Sequence, residues 1–151
     1  MPSLLRRLLA GWRFHWERAR LGSDPPTGRL GEAIAARHLR QAGYRVLARN
    51  WRGRTGELDL IAERRDLLVI VEVKTRRGGV DPHQAAAGSV GPDKQRRIAR
   101  AASEWLATSR YAMRRCRQGW SVRLDVIVVT ADRDHDDWTV DHIVDAFPSP
   151  R

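Results

Sequence analysis

The stretch from Leu67 to Val73, LLVIVEV, is almost unbroken apolar sequence with β-branched residues at Val69, Ile70, Val71 and Val73. A short run of this composition reads as a buried strand. Two ions interrupt its end, Glu72 and Lys74. A charge in a poorly solvated place must be paired or metal-bound, or its pKa shifts. Side chains along a strand repeat with a period of two, so Glu72 and Lys74 point one way while Val71 and Val73 point into apolar packing. Just upstream, Gly56 to Ala62 reads as a short strand carrying Glu57 and Asp59, and Arg64, Arg65 and Asp66 form a polar reversal. If that reversal closes a hairpin, Asp59 lies beside Glu72.

Two such carboxylates suit Mg²⁺ (or Mn²⁺), which takes oxygen ligands and keeps several waters. The Val73 backbone carbonyl is a candidate third protein ligand. Lys74 is placed to orient or help deprotonate an attacking water, and this combination of groups suits phosphodiester hydrolysis. A surface hairpin with a charged end explains the Glu-Val-Lys-Thr-Arg run alone equally well, because isolated short motifs match by chance.

The 151 residues suit one domain with a modest core. The 28 Lys and Arg outnumber the 18 Asp and Glu, giving a net charge of +10, which favours a polyanionic partner through steering and counterion release. An arginine-rich proteome would produce the same bias. The only lysines are Lys74 and Lys94, both inside the proposed site. With Cys116 as the single cysteine, no intramolecular disulfide or cysteine-built zinc site forms, which fits a reducing cytoplasm. No apolar run is long enough to span a membrane.

In residues 1–27, Leu4, Leu5, Leu8, Leu9, Trp12 and Trp16 fall at helical spacing among arginines, followed by a linker with Pro25 and Pro26. This basic amphipathic extension suits an anionic membrane surface or a helix docked on the domain. The folded domain is expected over residues 28–148. Arg29 to Ala42 reads as a helix stopped by Gly43. Glu32 lies in its expected first turn, where exposed amides favour a carboxylate, and it serves equally as a third carboxylate of the site. Tyr44 to Trp51 reads as a strand. Arg49, Arg52 and Arg54 around Trp51 form a candidate phosphate-binding lip, with Trp51 either a stacking platform or a cap on the core. Arg76 and Arg77 extend the basic run, and the loop with Gly78 and Gly79 that follows carries His83, to which no role is assigned.

Pro92 fits the first position of a helix running to about Thr108. Lys94, Gln95, Arg96, Arg97 and Arg100 populate its start. Cations there oppose the helix dipole, which points to an anion, with Lys94 and Gln95 nearest the site and the arginines on the nucleic-acid backbone. Tyr111 to Trp120 reads as a basic connector. Ser121 to Thr130 reads as a strand, with Asp125 opposite the face of Val122, Leu124, Val126 and Val128, either pairing with an arginine of the site or assisting it from a distance. Trp138 to Phe147 is a final strand. The sum is an α/β domain: helix, three-stranded meander, helix, two strands.

These runs resemble a known family. Gly31-Glu32 with Ala35, Gly56 through Ile61, Val71 through Arg76, Lys94 through Arg97, Arg123 through Val126 and Ala146-Phe147 are similar to the YraN-type (UPF0102) proteins, relatives of Holliday-junction resolvases in the restriction-endonuclease-like PD-(D/E)xK superfamily. The two middle runs together are the specific part. The resemblance implies a restriction-endonuclease-like core with a mixed central sheet flanked by helices. It also implies that Glu32, Asp59, Glu72 and Lys74 correspond to the active-site residues. Resolvase-like nucleases often work as dimers, so a homodimer is among the implied partners. The expected activity is divalent-metal-dependent cleavage of DNA, including branched DNA. The alternatives are a non-catalytic nucleic-acid-binding protein of the same fold and a membrane-associated scaffold using the basic arm.

Overall fold

The structure, a computed structural model, describes residues 14–16, 28–77, 90–131 and 138–149. Its elements are β1 (Phe14–Trp16), α1 (Gly28–Gln41), β2 (Arg45–Arg52), β3 (Glu57–Arg64), β4 (Leu67–Arg77), α2 (Pro92–Thr108), α3 (Arg110–Arg117), β5 (Ser121–Ala131) and β6 (Trp138–Phe147). The strands form one sheet in the order β1-β6-β5-β4-β3-β2. β2, β3 and β4 make the antiparallel meander. β5 pairs parallel with β4, a geometry that needs a long crossover, here one that includes α2 and α3. β6 returns antiparallel to β5. The domain is therefore α/β with a mixed sheet between helices, as a restriction-endonuclease-like core requires.

Each face of the sheet is covered by helix. On one face Ala35, Ala36 and Leu39 of α1 pack with Leu60, Val69, Val71, Ile127 and Val129. On the other, Ile98, Ala101, Ala102 and Trp105 of α2 and Ala112 of α3 pack with Leu58, Ile70, Leu124, Val126 and Val128. The central strands β4 and β5 are buried on both faces, which is why they read as continuous apolar runs. The small residues of α1 let it lie close to the sheet: a Cβ on Gly31 would collide with the Thr75 hydroxyl of β4. Gly43, at φ +83°, ends α1 in the left-handed conformation that glycine adopts without strain.

Three expectations are corrected. Tyr111 to Trp120 is not a connector. Most of it is helix α3, whose amino terminus is capped by the Ser109 side chain accepting from the Ala112 amide and whose last turn carries Arg114, Arg115 and Arg117 against the dipole's negative end. The helical spacing of the first segment does not extend through Phe14–Trp16, which pairs antiparallel with β6 as an edge strand; the rest of that segment lies outside the described residues, as do the loop at 78–89 and His83. Finally, α1 starts at Gly28 and has no acidic residue in its first turn, so the helix dipole does not account for Glu32.

Candidate functional site

The site forms where β3 and β4 part. Their pairing ends at Leu60 opposite Val71, and the alternation along β3 breaks at the same point: Leu58 belongs to the α2 face and Leu60 to the α1 face. Asp59 sits at this break. Its Oδ2 accepts a hydrogen bond from the Val73 amide at 2.8 Å, replacing a ladder bond lost as the strands separate. Burial pushes the Asp59 carboxyl up to about 6, and the charge of Glu72 pushes the same way; the Val73 amide and Lys94 pull it down, and Glu32 raises it again. Asp59 is thus a carboxylate that burial and the neighbouring Glu72 make costly to ionise.

Glu72 is buried, with its side chain 4% exposed. Lys74 Nζ lies 2.8 Å from its Oε1, the same-face neighbour that the period of two requires. Lys94 of α2 reaches the same oxygen at 3.2 Å. Glu32 influences Asp59 electrostatically but its Oε2 accepts from Asn50 Nδ2 at 2.7 Å. Among the described residues no group of three or more His, Cys, Asp or Glu side chains is gathered as a ready metal cage. The pair Asp59 and Glu72 nevertheless fits a hard divalent ion. Such an ion is held by one or two carboxylates and otherwise by water and substrate oxygens, and an under-neutralised carboxylate beside a buried one supplies that donor set.

A cleft of about 370 Å³ opens beside the pair, lined by Arg52, Gly53, Gly56, Lys94, Arg97 and Glu57. Its rim is the β2–β3 turn, which sequence reasoning missed as an organised element. Glu104 of α2 holds it: the carboxylate accepts from the Arg54 amide at 2.9 Å and from the Thr55 amide and hydroxyl at 2.8 and 2.6 Å. These bonds, the Thr55 hydroxyl first, draw the Glu104 carboxyl down to about 2. The contact joins residues 49 positions apart, so no local signal exposes it.

The basic residues divide. Arg52 and Arg97 line the cleft, with Arg52 also 3.5 Å from Glu57. Arg49 and Arg100 are exposed outside that lining, and Arg54 is exposed, 3.8 Å from Glu104. Arg96 pairs with Asp93 one turn back on its own helix. Gln95 Nε2 donates to the Val90 carbonyl at 2.7 Å, which ties down the entry to α2. Arg76 is half-buried on β4, and the Arg77 side chain lies outside the described residues. Trp51 is partly buried and packs against the core under the turn, as a cap on the core does. Asp125 is on the opposite face of the sheet, bound to Arg123, which is not one of the arginines assigned to the site.

A family model described as "Uncharacterised protein family UPF0102" matches residues 31–129, from within α1 to within β5. The chain belongs to the UPF0102 family. Among UPF0102 relatives, one from Rhodococcus opacus is 44% identical over 121 residues, covering 80% of this chain and 94% of its own. One from Syntrophus aciditrophicus is 41% identical over 111 residues, 74% of this chain and 81% of its own. A shorter match to a Streptomyces coelicolor UPF0102 protein, 56% identical over 82 residues, covers 54% of this chain and 62% of that protein. The UPF0102 match contains every residue of the carboxylate–lysine site and the cleft. Among the described residues, no helix is long and apolar enough to cross a membrane.

Proposed function

We propose that this UPF0102 protein is a divalent-metal-dependent nuclease that hydrolyses phosphodiester bonds in DNA, branched DNA included. The observation that carries the reading is the meeting of Asp59, Glu72 and Lys74 at the parting of two strands, beside a cleft lined by Arg52, Lys94 and Arg97. Asp59 and Glu72 would hold Mg²⁺ or Mn²⁺, which would offset charge on the phosphoryl oxygens and lower the pKa of an attacking water. Lys74, fixed by Glu72 at 2.8 Å, orients that water and donates to the phosphate. Arg52 and Arg97 hold neighbouring phosphates as positioning contacts that carry no sequence information. Asp59 sits where burial suits a charged ligand that brings its own countercharge.

The test is incubation of the purified protein with Mg²⁺ or Mn²⁺ and linear, branched and single-stranded DNA. Cleavage is expected, and Asp59→Asn or Glu72→Gln is expected to lower its rate by roughly 10³-fold, the equivalent of several kcal/mol of transition-state stabilisation, while leaving most DNA binding intact. Absence of cleavage of every DNA form and of RNA overturns the reading. Glu32 held by Asn50 and Lys94 seated on Glu72 favour a second reading, a non-catalytic nucleic-acid binder. Salt-sensitive DNA binding with no divalent-ion binding would select it.

A further inference from the structure

Glu72 Oε1 carries two ammonium groups at once, Lys74 at 2.8 Å and Lys94 at 3.2 Å. A divalent cation arriving at this carboxylate meets two like charges within a few ångströms, and at such distances inside a protein repulsion amounts to kilocalories. One lysine must leave for the cation to bind well. Lys74 is on the same strand two residues along and makes the shorter contact with Glu72, at 2.8 Å. Lys94 reaches over from a different element, α2, and also lines the 370 Å³ cleft with Arg52 and Arg97. Its flexible four-carbon stem lets the ammonium exchange one anion for another without movement of the helix.

We infer that Lys94 is a displaceable internal counter-ion: it occupies Glu72 in the free protein and swings onto a phosphate in the cleft when a polynucleotide binds, clearing Glu72 for the metal ion. Metal and nucleic acid then bind with positive coupling, and each tightens the other by the same factor. The free protein holds its metal weakly and is loaded by its substrate. This rests on the proposed metal role of Asp59 and Glu72 and adds to it the order in which the site fills.

Calorimetric titration of Ca²⁺ into the full chain, with and without a 20-base-pair DNA duplex, tests the coupling without relying on turnover. In the wild type the duplex is expected to tighten Ca²⁺ binding about 5- to 10-fold, within the usual range for coupled sites. Lys94→Met is expected to tighten Ca²⁺ binding by a similar factor in the absence of duplex and to show a smaller further gain than the wild type when duplex is added, because only the direct contact of ion and phosphate remains. Lys94→Arg restores the wild-type pattern. Unchanged or weaker Ca²⁺ binding in Lys94→Met, or duplex coupling as large as in the wild type, overturns the inference; Lys94→Gln replaces Lys94→Met if the latter melts early. A Glu72→Gln control separates the two levels of failure. If Ca²⁺ binds through Glu72 but ignores Lys94, only the counter-ion role falls. If the wild type binds no Ca²⁺ with or without duplex, the metal site and the counter-ion role fall together.

Discussion

Two buried acidic centres sit on adjacent strands and opposite faces of one sheet, and they are built to different ends. Asp125 of β5 is in register with Val71, and Glu72 with Val126, so only the thickness of the sheet divides the centres. Both key aspartates lie at breaks in strand pairing, Asp59 where β3 leaves β4 and Asp125 at the irregularity between β5 and β6. Both accept a backbone amide, from Val73 and from Asp145 respectively. Beyond that they diverge. Asp125 also takes Arg123 Nε and an Arg123 terminal nitrogen at 2.8 Å each, and His142 Nε2 at 2.8 Å. Burial raises its carboxyl, but the bonds from His142 and Arg123 outweigh that and hold it below the usual range. Asp59 has one amide, and burial, then the charge of Glu72, sends its carboxyl up. A satisfied buried charge is architecture; an under-neutralised one beside an open cleft is available to a ligand.

The largest effect that would break this comparison is on stability at Asp125. Asp125→Ala strands Arg123, whose side chain is 20% exposed, and is expected to cost about 3–5 kcal/mol, as removal of one partner from a buried ion pair does. Urea unfolding measures it, and a loss below about 1 kcal/mol would show that the cluster is not structural.

A smaller effect follows from His38, which is buried against His142 with Nε2 and Nδ1 3.3 Å apart. One proton fits between the facing nitrogens and two do not. Burial, then His142, lowers the His38 pKa from 6.5 to about 4. Between these values the unfolded chain binds the extra proton, so stability is full above pH 6.5 and is lost as pH falls towards 4, by about 2–3 kcal/mol. His38→Gln should flatten that slope in an unfolding series from pH 8 to 4.

Asp59 should give a change slightly smaller than that of His38, and of opposite sign. Its raised pKa means that the folded state favours the protonated form, so ionisation on going from pH 4 to above 6 weakens the fold. In EDTA, Asp59→Asn keeps an acceptor for the Val73 amide and is expected to gain about 2–3 kcal/mol at pH 8 and little at pH 4. A clear loss at pH 8 would make Asp59 a second structural acid and erase the contrast.

The sequence exposes one of these centres and not the other. Glu72 and Lys74 are two residues apart on an apolar strand, and Asp59 is one hairpin away, so strand periodicity alone brings them together. Lys94 was traceable because it opposes its own helix dipole. Arg123 and Asp125 are near neighbours, yet their meaning depends on His142 and Tyr44, 17 and 79 positions distant, and through His142 on His38, 104 positions from that histidine, and no period links those. The bond from the Gln95 amide to the Val90 carbonyl was not legible, because helix position alone does not show which acceptor a side chain meets. The Ser109 cap and the arginine-rich last turn did mark α3, but weak apolar patterning hid it.

The helix that carries Lys94 also carries Glu104. Ten residues of α-helix fix these two at roughly 15 Å apart along the axis. One end of this rigid rod meets the buried acid and the other clasps the rim of the cleft. Tilting α2 would therefore shift the ammonium and the groove wall in step, so the aperture is gauged by a helix length and not by loop composition. A relative that lengthened the β2–β3 turn would need to re-anchor it to the same rod, or surrender control of the groove's width.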